Sequence, residues 1–428
     1  MSHQPHEVPD SRFAALASGL GGPEAIADLA AAQRSKRLLL LRHINKAAGN
    51  RAATGVLIES DRRDRQVVAE LMSDPLVGAW AAGTARPPTD PADLTQLSAL
   101  AAVAAVRTGL DARLATATRD RRVTLPTLGT AMLDDDGEAV IAVENGRVTV
   151  QGGFGTVHAT GDDPRWQPLR RLSARYHDRG ATLAVEDGNP YRDCYHAPPT
   201  GRLSDADFAR WQGLYADAWA LLAGFAPERV DEIAAGLRSV VPLASGDDAM
   251  ARSGTARDAF GTMGLTSPGS ATEFAVTLVH EFQHSKLSAL LDLVPLYVPG
   301  GDELHFAPWR EDARPTGGLI QGVYAFFGVA DTWRSLLTAP GLAEIAGREL
   351  ATVRLQVHEG LTSLEMSEEL TPRGEEFAAH LRTALDALLS VPVAPAAARA
   401  ADAALAELRD NWETHNRGAL PSTALTER

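Results

Sequence analysis

The first part of the chain carries apolar residues at helical spacing. The segments are FAALASGL, PEAIADLAAAQRSKRLLLLRHINKAA and LTQLSALAAVAAVRTGL, and glycine and proline breaks separate them. Apolar positions that recur every three to four residues predict amphipathic helices. The pattern therefore predicts a helical N-terminal unit over residues 1–118.

After Arg122 the apolar pattern changes to short β-branched runs. In VTLPTLGTAMLDDDGEAVIAVENGRVTVQGG these runs are separated by the turn signals DDDG and ENG, which favours a small antiparallel meander. TVHAT and ATLAVED are two further candidate strands, and the loop GNPYRDCYHAPPTGRL is too rich in glycine and proline for regular structure. We expect a β-containing unit over residues 119–203.

Helical periodicity returns in LSDADFARWQGLYADAWALLAGF, where Ser204 and Asp207 resemble a capping box. The segment AFGTMGLTSP interrupts it as a short strand, and the segments that follow the strand are again helical. A second helical unit is expected over residues 204–428. The predicted fold class is mainly α with a small antiparallel β subdomain, that is, α+β.

Composition narrows the classes of partner. The 428 residues include 55 acidic and 41 basic side chains, for a formal net charge of −14, which repels nucleic acid phosphate and anionic lipid. Cys194 is the only cysteine, so the sequence allows no intrachain disulfide and no cysteine-based zinc cluster. Without an export signal or an apolar stretch of membrane-spanning length, we expect a cytoplasmic protein with no nucleic acid or membrane partner.

The stretch VTLVHEFQHSKLSALLDLV contains two histidines at helical spacing. Positions i and i+4 share one helix face, so His280 and His284 can offer two imidazole nitrogens to one ion. Glu281 lies about 100° further around the helix axis, where it can reach a metal-bound water. This H-E-x-x-H arrangement predicts a metal site on a packed helix of the second helical unit.

The bare motif suggests a zinc peptidase, in which Glu281 is the general base and Zn(II) polarises water and the scissile carbonyl. The glycine and histidine that a metzincin carries after its second histidine are absent from SKLSALLDLV, so that subclass is excluded. A later glutamate would have to complete the site. The candidates are Glu303, Glu311, Glu344 and Glu349. A zinc-dependent peptidase acting on a peptide is the alternative function.

Longer stretches around the motif resemble the H-E-x-x-H-type peptide β-hydroxylases, also described as HEXXH motif-containing peptide modification proteins. The matching stretches are HEFQHSKLSALLDLVPLY, APWREDARPTGGLIQGVYAFFGVADTW, AFGTMGLTSP and NPYRDCYH, roughly residues 185 to 335. The resemblance implies a bacterial enzyme that uses Fe(II) and 2-oxoglutarate to hydroxylate the β-carbon of a residue in a ribosomal precursor peptide. The sequence departs from this family at Ala313, where proline is more frequent, and at Phe326, where some relatives carry histidine.

An iron centre that uses 2-oxoglutarate needs about three protein ligands and open positions for the keto acid and dioxygen. We expect His280, His284 and Gln321 as the metal ligands, with Glu281 orienting a ligand or relaying a proton. Gln321 could instead hold Glu281 or a ligand histidine by a hydrogen bond. The competing candidates for the third ligand are Glu303, His305 and Glu311.

The distal carboxylate of 2-oxoglutarate needs a cation, and arginine offers a planar fork of two donors. Arg310, Arg314 and Lys286 lie close to the motif in sequence and are the candidates. Lys286 could equally form a salt bridge between helices.

The loop PYRDCYH carries Tyr191, Arg192 and His196, a composition suited to gripping a peptide substrate. The same residues would also suit a polar network that ties the β unit to the helices. The segment AFGTMGLT could pair with an extended peptide through its backbone.

Overall fold

A computed structural model describes residues 6–195, 197–246 and 251–416. Its helices are α1 (Asp10–Ala17), α2 (Gly22–Ala48), α3 (Arg51–Arg63), α4 (Arg65–Leu71), α5 (Pro75–Thr84), α6 (Pro91–Thr108), α7 (Asp205–Phe225), α8 (Pro227–Gly236), α9 (Ala271–Leu291), α10 (Thr316–Leu336), α11 (Ala343–Glu365), α12 (Pro372–Leu389) and α13 (Pro395–Asn416). With 55% helix, 16% strand and small antiparallel sheets, the predicted α+β class is confirmed.

The strands lie mostly between α6 and α9. They are β1 (Ala112–Ala117), β2 (Arg122–Leu125), β3 (Gly129–Met132), β4 (Glu138–Glu144), β5 (Arg147–Gln151), β6 (Thr156–His158), β7 (Trp166–Pro168), β8 (Arg170–Tyr176), β9 (Arg179–Val185), β10 (Ser239–Pro242), β11 (Ser253–Gly254), β12 (Thr262–Leu265), β13 (Leu304–His305) and β14 (Arg314–Pro315).

Local sequence signals explain several element ends. The hydroxyl of Ser204 accepts a hydrogen bond from the backbone N–H of Asp207 at 3.1 Å, which confirms the predicted cap of α7. The ENG turn joins β4 to β5 as a two-residue hairpin, because Asn145 and Gly146 both take positive φ angles, 50° and 74°.

Two antiparallel sheets form the predicted meander. One has the strand order β1-β4-β5-β6 and the other β2-β3-β7. β1 lies within the residues predicted to be helical, and its buried side chains Leu114 and Thr116 alternate with exposed ones. Since α6 packs on β1, β2 and β4, these helices and strands share one core.

A third sheet, with the order β11-β12-β10-β9-β8, is mixed rather than antiparallel. β10 runs parallel to both β9 and β12, and β12 lies between β10 and β11. β10 pairs with all four residues of β12, and β11 pairs with Gly264 and Leu265, which leaves little of β12 open to the predicted pairing with a peptide. Among the described residues, the strand at the end of this sheet beside α9 is β11.

The second hydrophobic core surrounds α9. α9 packs on α7 and α10, and α10 in turn packs on α11. Gly328 of α10 makes the approach to α9 close, since a Cβ atom there would lie 2.6 Å from Cγ of Gln283. None of the helices in the described residues is both long and apolar enough to cross a membrane.

Candidate metal centre

The predicted H-E-x-x-H helix is α9. The hydroxyl of Ser270 caps it by accepting a hydrogen bond from the backbone N–H of Glu273 at 3.1 Å. One stripe of the helix, at His280, His284 and Ser288, is half-buried, whereas most of the neighbouring positions are buried. The two histidines therefore lie on the least buried stripe of this part of α9.

The two imidazoles converge through the same ring atom. The Nε2 atoms of His280 and His284 lie 3.2 Å apart. When two nitrogens bind the same tetrahedral zinc ion at about 2.0–2.1 Å, they lie roughly 3.3 Å from each other. Adjacent ligand atoms of an octahedral ion lie roughly 3 Å from each other. The spacing fits two ligands of one cation and accommodates either geometry.

Gln321 of α10 fixes the orientation of His284. Its Oε1 atom lies 3.0 Å from Nδ1 of His284, and its Nε2 donates to Oγ of Ser288 at 3.1 Å. An amide oxygen only accepts, so Nδ1 of His284 carries the proton and the lone pair of Nε2 points toward His280. The structure thus places Gln321 on the outer side of the ring, which corrects the expectation that it binds the metal itself.

Glu281 is enclosed by two hydroxyls. Its side chain is 2% exposed, Oε1 accepts from Oγ of Ser253 at 2.6 Å, and Oε2 accepts from Oγ1 of Thr255 at 2.6 Å. Oε1 also lies 3.9 Å from Nε2 of His280. The carboxylate is held beside the histidine pair with both oxygens engaged.

Aromatic rings cover the other side of His280. The ring of Phe326 meets the His280 ring edge to face, with 4.9 Å between centroids, and the Trp309 ring stacks on Phe326 at 4.9 Å. Trp309 packs tightly against Gly322, where a Cβ atom would lie 2.4 Å from the indole. Burial and the neighbouring His284 lower the pKa of His280 to about 3, so its imidazole is neutral and can bind a metal at pH 7.

The described residues supply no third histidine, cysteine, aspartate or glutamate that would complete a metal-ligating group with the pair. His305 instead lies 3.0 Å from Oγ1 of Thr316 and 3.4 Å from Oε2 of Glu303. The other candidates lie away from the pair, with Glu311 exposed in a loop and Glu344 and Glu349 on α11.

The cations expected to bind 2-oxoglutarate have partners of their own. Arg310 and Arg314 both donate to the carboxylate of Asp312, at 2.8 and 3.1 Å. Lys286 is fully buried and donates to Oε2 of Glu232 at 2.8 Å and to the carbonyl of Gly19 at 3.0 Å. Lys286 therefore forms the salt bridge between helices and is not free for a keto acid, which corrects its assignment as a binding residue.

The predicted substrate loop is tied to the helices. The hydroxyl of Tyr191 donates to Oδ1 of Asp93 at 3.0 Å, and Arg192 donates to the carbonyls of Asn189 and Thr200 at 2.6 and 3.2 Å. His196 lies outside the described residues. The bond from Tyr191 joins the loop to α6, whereas the two bonds from Arg192 hold parts of the loop together.

A cleft of about 810 Å³ runs from this loop toward the motif. Its lining includes Trp80, Tyr191, Cys194, Thr255 and Asp258. Because the hydroxyl of Thr255 donates to Glu281, the cleft ends one side chain away from the H-E-x-x-H helix.

Sequence reasoning missed three polar residues of this site. Ser253 and Thr255 precede Glu281 by 28 and 26 residues, and no spacing rule links a loop hydroxyl to a helix that far along the chain. Ser288 was detectable, since it continues the stripe of His280 and His284 by one further turn. The sequence matches no model of a known protein family and no curated protein.

Proposed function

We propose that the protein is an Fe(II)- and 2-oxoglutarate-dependent hydroxylase that acts on the β-carbon of a residue in a ribosomal precursor peptide. The observation that carries this proposal is the pair of hydrogen bonds that the Glu281 carboxylate accepts. A peptidase needs this glutamate to take a proton from a metal-bound water. Here both carboxylate oxygens already accept hydrogen bonds from Ser253 and Thr255, which favours a positioning role over that of a general base.

His280 and His284 would hold the metal through their Nε2 atoms. With iron bound, dioxygen and 2-oxoglutarate would convert a C–H bond to C–OH and yield succinate and CO₂. Two imidazoles would fill two positions of a six-coordinate ion, the keto acid two and dioxygen one. No other histidine, cysteine, aspartate or glutamate of the described residues joins the pair, so water would take the position of a third protein ligand.

The chain's own residues would orient and protect this centre. Gln321 fixes the tautomer of His284 through the bond at Nδ1, which raises the basicity of the ligand nitrogen. Phe326 lies against the His280 ring and keeps water from that face of the imidazole. Excluding water would protect a reactive intermediate from side reactions with solvent.

An extended peptide could reach the site along β11. This strand is the edge of the five-stranded sheet in the described residues, and Ser253 within it bonds Glu281. Edge strands accept peptides through main-chain hydrogen bonds. A peptide added there would lie next to the carboxylate that borders the histidine pair.

The test uses anaerobic addition of Fe(II) and 2-oxoglutarate to the full chain. We expect a visible charge-transfer band in the wild type, no band in His280→Ala, and an unchanged band in His43→Ala, which alters an exposed histidine of α2. Admitting oxygen should release succinate even without a peptide substrate.

The peptidase alternative predicts different products. On a peptide substrate, a gain of one oxygen in mass supports hydroxylation, whereas two shorter fragments formed with zinc support proteolysis. Absence of both the band and succinate, together with zinc-dependent cleavage that Glu281→Gln abolishes, would overturn the proposal.

A further inference from the structure

A groove lies between α2 and α3, on the N-terminal helices. Both helices pack on α6 but scarcely on each other, which leaves an opening of about 800 Å³ between them. α4 contributes part of the lining. None of the residues that line the groove belongs to the metal centre.

The floor of this groove is apolar. Leu41, Val68, Met72 and Leu97 line it and are buried, whereas two large side chains of its walls are open to solvent. Leu38 is 52% exposed and Ile58 is 49% exposed. Large apolar side chains left open beside an apolar cavity are typical of a surface that binds a partner.

The rim of the groove is basic. Arg34, Arg42, Arg62 and Arg65 all line it, and among the described residues Asp61 is the only acidic one in the lining. The chain as a whole has a formal charge of −14, so this local excess of arginine runs against the overall charge. Arginines around an apolar floor attract an acidic partner and set its orientation.

The spread of the arginines decides what kind of ligand fits. Arg34 and Arg42 lie eight residues apart on α2, about 12 Å along the helix axis. Arg62 and Arg65 belong to the end of α3 and the start of α4. A fatty acid carries one carboxylate and would meet only one of these positions, whereas a helix can present carboxylates along both flanks of an apolar stripe.

We infer that the groove binds an acidic amphipathic helix of a partner polypeptide. Leucine-type side chains at helical spacing would fill the apolar floor, and glutamate or aspartate side chains on the flanks would meet the arginines. This interaction requires neither the metal nor its co-substrate.

The probe is a fluorescein-labelled 18-residue peptide with leucines at positions i, i+3, i+4 and i+7 and glutamates on both flanks. Fluorescence anisotropy should show saturable binding to the full chain, weakened about tenfold or more by Leu38→Asp and by Arg62→Glu. Leu39→Asp and Arg51→Glu are matched controls, since both residues are exposed but do not line the groove. We expect both controls to bind like the wild type.

Each of the following results would overturn the inference. One is no saturable binding of the probe, or equal binding by Leu38→Asp and Leu39→Asp. Another is equal binding of a peptide whose glutamates are replaced by lysines, because the arginine rim would then have no role. The third is a wild-type dimer that Leu38→Asp dissociates and the probe does not, which would assign the groove to a second copy of the chain. Saturable binding of dodecanoate to a chain that does not bind the peptide would assign the groove to a lipid.

Discussion

Oε1 of Gln321 lies 3.0 Å from Nδ1 of His284, on the side of the ring opposite the Nε2 atom that faces His280. One bond between α10 and α9 thus decides which nitrogen of the imidazole carries the proton. A glutamine expected to bind a metal instead orients one of the two histidines proposed to bind it.

Replacing Gln321 by leucine should weaken Fe(II) or Zn(II) binding by about 10- to 100-fold, because the free His284 ring can rotate or change tautomer. Gln321→Glu should restore most of the affinity, since a carboxylate also accepts from Nδ1–H. Isothermal titration calorimetry on both variants provides the comparison. If Gln321→Leu binds metal as tightly as the wild type, the orienting role is wrong.

Removing one hydroxyl beside Glu281 should destabilise the fold. Thr255→Val leaves Oε2 of a buried carboxylate without its 2.6 Å hydrogen bond, at a cost of about 1–3 kcal/mol in the free energy of unfolding. Thr255→Ser keeps a hydroxyl at this position and should unfold near the wild-type urea midpoint. Equal midpoints for the valine and serine variants would contradict the contact.

Breaking the buried pair of Lys286 and Glu232 should be costly. Lys286→Met leaves the Glu232 carboxylate buried without its 2.8 Å partner, a loss of about 3 kcal/mol or more. The double variant Lys286→Met/Glu232→Gln should recover much of that loss, because it also removes the carboxylate charge that Lys286 balances in the wild type. Urea denaturation of the wild type and both variants tests whether the two changes are non-additive.

The contribution of Glu186 to stability should fall as the pH rises from about 4.5 to 8. Burial, together with the neighbouring Asp74 carboxylate, raises the pKa of Glu186 to about 8. A carboxyl whose pKa is raised on folding contributes stability that is complete below its unfolded pKa and is lost as the pH rises through its folded pKa, by at most about 1.4 kcal/mol per pH unit. The free energy of unfolding of Glu186→Gln, relative to that of the wild type, should therefore rise with pH in unfolding curves at pH 5, 6, 7 and 8. Glu138→Gln, at an exposed position, should leave the slope unchanged.

The sequence was informative where the cause of structure is local. The four-residue spacing of His280 and His284 was enough to predict that their rings share a helix face, and the ENG turn was enough to place a hairpin. The α+β class followed from the change in apolar period after Arg122.

What could not be predicted depends on contacts between distant segments. β10 was not predicted, because its four residues, SVVP, show no alternation of apolar and polar positions. Such a short run cannot be told apart from the end of a helix. Ser253 and Thr255 meet Glu281 only through packing of the sheet against α9. The partner of Lys286 could not be predicted either, because its spacing from His284 does not reveal that Glu232 of α8 lies within hydrogen-bond distance.

Gly328 affects the histidine pair although it has no side chain. It stands two turns after Gln321 on α10, and the missing side chain is what lets α10 rest on Gln283, the residue next to His284. A methyl group at 328 would push the two helices apart and lengthen the hydrogen bond between Gln321 Oε1 and His284 Nδ1. Metal affinity would then drop although every ligand is intact, so a scan that ranks positions by lost activity would mistake this spacer for a catalytic residue.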